Sequence, residues 1–159
     1  MQNLITKNKE QNINFIKNQR REKIMKKMNP VVHFEMPAED KKRMTDFYTN
    51  VFGWKAQMLG PEMGNYVVVT TSDVDQYGRP KNAGMINGGF YQKNNDSAPH
   101  PSVVIAVDDI KESMKDIVSA GGRLIGEPMA IPGIGISVSF FDTENNRVGL
   151  LQPIMDANK

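Results

Sequence analysis

The 159-residue chain has no cysteine, is 39% hydrophobic and 24% charged, and carries a net charge of +2 at pH 7. The missing cysteines exclude a disulfide frame and any thiolate metal site, and no apolar run reaches the ~18 residues of a membrane-crossing helix. What remains is the composition of an ordinary globular chain, long enough for one domain or for two small halves sharing a core.

Charge is unevenly spread. Residues 1–29 hold eight Lys or Arg against Glu10 and Glu22, so the remainder is mildly acidic. The segment 1–29 therefore reads as a basic extension, a solvated arm in preference to a nucleic-acid-binding one, since Phe15 is its only aromatic residue. If it orders, Ile13, Ile16, Arg20 and Ile24 form a weak helical stripe. It lacks the apolar stretch of a secretory signal, Met25 and Met28 offer alternative starts for translation, and a cytoplasmic location is expected.

The clearest pattern beyond it is an internal repeat. Val31–Met36 predicts a strand ended by Pro37, and Asp40–Phe52 a helix with Met44, Phe47, Tyr48, Val51 and Phe52 on one face and Gly53 as its stop. Strands are expected over Trp54–Leu59, Tyr66–Thr70 and Ala83–Phe90. The order then recurs. Ser102–Val107 predicts a strand, and Asp109 with Glu112 makes a capping box. The helix it opens has Ile110, Met114, Ile117 and Val118 as its apolar face and ends at Gly121 and Gly122. Strands follow over Arg123–Met129, Ile136–Phe141 and Val148–Gln152. Each half is βαβββ, with Asp40 and Asp109 at matching places 69 residues apart. His33 and Ser102 match in the same way. An α+β fold of two modules is expected, 30–97 and 98–159, whose sheets curl around a shared cleft suited to a small molecule.

Several residues invite a role. His33 and Glu35 alternate with Phe34 and Met36 and so share a strand face, either as an acid–base or ligand-anchoring pair or as a pair merely satisfied by hydrogen bonds. Ser102 adds a hydroxyl, and among Trp54, Tyr66, Phe90, Tyr91, Phe140 and Phe141 some are expected to wall the cleft, with Trp54, Tyr66 and Phe140 taken as ligand contacts. Asp108 and Asp109 read as helix capping, and the glycines of Ile131–Gly135 as a turn.

His33-Phe-Glu-Met-Pro37, Asp40, Phe47-Tyr48 and Phe52-Gly-Trp54, repeated as Val107-Asp-Asp109, Gly121-Gly122 and Phe141-Asp142, resemble the vicinal oxygen chelate superfamily of glyoxalases, bleomycin-resistance proteins and extradiol dioxygenases. The resemblance covers roughly residues 30 to 153. It implies a divalent-metal site whose ligands stand at the first and last strands of each module. Here His33 fills the first slot, Ser102 the second-module counterpart, and Gly149 stands where a glutamate is usual, while the last strand of the first module offers neither carboxylate nor imidazole. A catalytic ion wants about three protein ligands, so no cofactor is expected and a divalent metal is the alternative. The expected function is metal-free capture of a small organic ligand, alternatively a glyoxalase-type lyase or isomerase using His33 and Glu35. A homodimer is expected, with no membrane partner.

Overall fold

A computed structural model describes residues 27–94 and 99–154. The expectations for residues 1–26 lie outside the described residues.

The first half comprises β1 (Val31–Ala38), α1 (Lys41–Phe52), β2 (Lys55–Met58), a short 3-10 turn (Pro61–Met63), β3 (Val67–Thr70) and β4 (Asn87–Gln92). The second comprises β5 (Ser102–Ala106), α2 (Ile110–Ser119), β6 (Arg123–Ile131), β7 (Gly135–Phe141) and β8 (Arg147–Pro153). All eight strands form one open, curled sheet in the order β2-β3-β4-β1-β5-β8-β7-β6. The α+β class and the doubled βαβββ order are those expected. β1 and β5 run antiparallel at the middle of the sheet, each with the last strand of its own half parallel on its outer side. Both halves therefore read outward from the seam in the same sequence, as a half-turn about the seam requires.

Both helices start as their sequences dictate. The Asp40 side chain accepts from the Arg43 amide, and the Asp109 side chain from the Glu112 amide, each at 2.9 Å. The Gln152 side-chain oxygen accepts the Ile110 amide at 2.9 Å, adding a tether from β8 to the start of α2. Gly53 closes α1 at φ 69°, a conformation that costs glycine little.

Three expectations need correction. Pro37 does not end β1. The Ala38 carbonyl accepts from Lys93 on the β4 side, so the neighbouring Pro37 nitrogen turns the other way, past the start of β5 opposite Glu35, where no ladder bond is lost. Residues 83–86 belong to a turn and not to β4, because Thr71 holds that turn to the end of β3. Its hydroxyl donates to the Ile86 carbonyl at 2.8 Å, and its amide donates to the Asn87 side chain at 3.0 Å. The face of α1 is only partly covered. Met44 and Tyr48 pack on Ala38, Val67, Val69 and Phe90, while Phe47, Val51 and Phe52 are 53%, 57% and 58% exposed. Trp54 stacks on Tyr48 at 4.7 Å and fills the space beside it, leaving the helix to touch the sheet along a narrow strip. On α2, Ile110 is buried with Met114 and Ile117 packed around it, and Val118 stays exposed. Each helix thus covers a separate apolar cluster on one side of the sheet.

Candidate functional site

Strand alternation sends one set of side chains beneath the helices and the other to the opposite, concave face. Phe34, Met36 and Ala38 join the cluster under α1, so His33 and Glu35 face away from it. Register carries that face across the molecule. Glu35 stands between Gly89 of β4 and Ser102 of β5, and His33 between Asn87 and Val104. Val104 lies opposite Gly149, and Gly149 opposite Ser139. On the same face, Arg147 lies opposite Phe141, which lies opposite Arg123 of β6. Leu124, Phe140 and Val148 pack into the cluster around Ile110, which fixes their neighbours Arg123, Phe141 and Arg147 on the concave side.

A hydrogen-bonded pair holds the centre. His33 Nε2 and the Tyr66 hydroxyl are 2.9 Å apart. Tyr66 lies across Gly89, where a Cβ would collide with its hydroxyl and ring. Gly89→Ala is therefore expected to displace Tyr66, break the His33 contact and destabilise the fold by about 1–3 kcal/mol. Tyr66→Phe in the Gly89→Ala background should then cost little more, and full additivity in a double-mutant cycle by urea denaturation would refute the link.

Burial tunes the group. It lowers the His33 pKa to about 4, so the imidazole is neutral at pH 7. Burial raises the Glu35 carboxyl, with the Arg147 guanidinium opposing in part. The Tyr66 phenol is pushed up by burial first and then by the Glu35 charge. Tyr91 is raised by burial and by Glu35, with Arg147 pulling against them. The arrangement therefore holds neutral donors and acceptors around one carboxyl and one guanidinium.

His33 is hydrogen-bonded to Tyr66, and Glu35 and Ser102 lie opposite each other in register on the same face. Trp54 and Phe140 do not join them. Trp54 is stacked on Tyr48 and tilted against Phe34, 5.6 Å away, while Phe140 is 9% exposed in the cluster beneath α2. Both fill the helix side of the sheet, as does Phe90, leaving Tyr66, Tyr91 and Phe141 as the aromatics of the concave face. Sequence reasoning missed Arg147, which falls one position before the strand expected from Val148. The alternating apolar residues Val148 and Leu150 were the available signal. Two hollows of 370 and 500 Å³ lie elsewhere, one at the β6–β7 hairpin by Ile131, Gly133 and Ile136, the other beside α1 by Pro37, Arg43 and Phe47. Neither contains His33 or Glu35. The site is placed on the concave face because the polar and charged groups converge there.

Two βαβββ halves presenting such groups on a common concave face define a paired-module cleft protein. Residues 31–72 match the family model of the bleomycin resistance protein-like N-terminal region. The chain is 30% identical over 124 residues to the anthracycline biosynthesis protein DnrV of Streptomyces peucetius, covering 69% of this chain and 42% of that one. It is 26% identical over 113 residues to a glyoxylase-like domain-containing protein of Didymella fabae, covering 70% of this chain and 84% of that one. Among solved structures, a methylmalonyl-CoA epimerase superposes with a TM-score of 0.60 at 15% identity, over 82% of this chain and 99% of that one. A variant of the Streptomyces coelicolor methylmalonyl-CoA epimerase in complex with 2-nitronate-propionyl-CoA gives 0.59 at 14%, over 81% of this chain and 100% of that one. The family model, the relatives and the solved structures together indicate the vicinal oxygen chelate superfamily. It spans less than half the length of DnrV.

Proposed function

We propose that this chain captures a small organic molecule on its concave face without a metal ion. The observation that carries the reading is the central group itself, in which His33, Tyr66, Glu35, Ser102 and Arg147 supply hydrogen-bonding and charged contacts. The names of the relatives agree with it, since bleomycin, anthracyclines and CoA esters are all organic molecules. The donor set does not fit a divalent ion. His33 Nε2 is engaged by Tyr66, and Ser102 is a weak neutral donor. Gly89 is covered by Tyr66, and at Gly149 a Cβ would lie only 3.0 Å from Val104 Cγ2. Among the described residues no three His, Asp or Glu side chains converge.

The test is metal analysis of untagged protein, with thermal melts in added zinc, nickel or cobalt. The expected result is a divalent ion well below one per chain and an unchanged Tm. A stoichiometric ion that disappears in His33→Ala would overturn the reading. In the same proposal two chains pair, since all four residues of the edge strand β2 are exposed beside the bare part of α1. Sedimentation showing a monomer at micromolar concentration would remove that part alone.

A second reading makes the site a lyase or isomerase that moves a proton next to a carbonyl. Its support is Glu35, a carboxyl raised by burial on the same face as His33 and thus better matched to accept a carbon-bound proton than an exposed one. Exchange of such a proton in D2O that is lost in Glu35→Gln would favour this reading over passive capture.

A further inference from the structure

The two halves of the concave face differ in charge. At the paired positions of β5 to β8 on this face, the charged residues are Arg123 and Arg147. They flank Phe141 in one cross-strand row, with the Arg123 guanidinium carbon 4.5 Å from the centre of the Phe141 ring. Arg147 Nη2 lies 3.4 Å from the Ser139 hydroxyl, on the same side of the sheet. In the first half, Glu35 stands across the seam on β1 with its field reaching Arg147. Lys55 lies on the exposed edge strand β2 opposite Thr70, so the pair of cations beside one ring belongs to the second half. Glu127 falls in the irregular stretch between Ile125 and Met129 and has no register partner. The second-half wall is thus an aromatic ring edged by two guanidinium forks, a shape matched to a planar anion such as a carboxylate, whose two oxygens accept in parallel. A lysine pair would give the charge without that planar fit.

We infer that the molecule held on the concave face carries an anionic group, carboxylate or phenolate, seated against the row Arg123–Phe141–Arg147. The inference rests on the proposal that this face binds a small molecule. It adds an orientation: the anionic end points to the second half, and the uncharged remainder lies over Ser102 toward Tyr66 and Tyr91. Glu35 competes with such an anion for Arg147, whereas Arg123 rests against the Phe141 ring, so both arginines are expected to contribute.

Titration of the full-length ¹⁵N-labelled chain with 2-naphthoate, 2-naphthamide and 2-naphthylmethylamine tests this. The naphthoate is expected to shift the amides of Ser102, Arg123, Phe141 and Arg147, and to bind about tenfold more tightly than the amide, as one charge-assisted contact implies. Arg147→Gln and Arg123→Gln should each reduce that advantage, read as the ratio of naphthoate to naphthamide affinity within one variant, while amide shifts unchanged away from the row report an intact fold. Lysine at either position should restore only part of the advantage. Equal binding of amide and naphthoate at these residues, or tighter binding of the amine, would overturn the anion inference and leave the cleft standing. Failure of all three probes to shift the concave-face amides would overturn the cleft reading and this inference together.

Discussion

Phe90→Ala is expected to destabilise the fold by about 3–5 kcal/mol, the usual range for deleting a buried ring. Phe90 is 0% exposed, its ring lies 5.4 Å from that of Tyr48, and it pairs with Met36 of β1 on one side and Val67 of β3 on the other. Removing it opens a void between three strands and α1 that neighbouring side chains fill poorly. Phe52→Ala is the comparison, since its ring is 58% exposed and the loss should stay near ~0.5 kcal/mol. Urea denaturation of both variants checks the pair. A Phe52→Ala loss as large as that of Phe90→Ala would mean that the bare part of α1 is covered in solution, by a second copy or by another part of the chain.

Acid should weaken the fold through His33. Its pKa is lowered to about 4 from 6.5 by burial. The unfolded chain therefore takes up this proton at higher pH than the folded one, and the neutral imidazole's contribution is complete above about pH 6.5 and lost as pH falls toward 4. The shift corresponds to about 3 kcal/mol. Glu35 acts in the opposite sense. Its raised pKa gives a contribution present below its unfolded value and lost as pH climbs through the folded one. Melts between pH 7.5 and 4 are therefore best compared in a Glu35→Gln background, with His33 and with His33→Gln. The acid limb should flatten in the His33 variant. An unaltered slope would show that other groups drive the acid transition.

Much of the architecture was legible in the chain. Aspartates at matching positions, each followed by a 3.6-residue apolar period and a glycine stop, marked two helices, and the strands between them recurred in the same order. What could not be read was phase. Phe140 and Phe141 are adjacent aromatics, so alternation requires one to be inside and one outside without saying which, and a single-residue slip reverses the answer. Trp54 sits just before β2, where no period applies, and its ring turned back to Tyr48. Repeat spacing paired His33 with Ser102 correctly as equivalents. It could not show that Ser102 actually lies beside Glu35, because equivalent residues of two antiparallel strands stand apart across their axis. Arg147 escaped because an arginine next to a turn looks like solvent-facing punctuation until the register places it opposite Phe141.

The seam has one more implication. Rotation about it exchanges His33 with Ser102 and Glu35 with Val104, positions whose backbones are interchangeable but whose chemistry is not. A guest flipped end for end would trade imidazole for hydroxyl and carboxyl for isopropyl. The scaffold is nearly blind to direction, yet its furnishing is not, so mirror-image forms of one chiral guest should be told apart although the frame that holds them is almost its own twin.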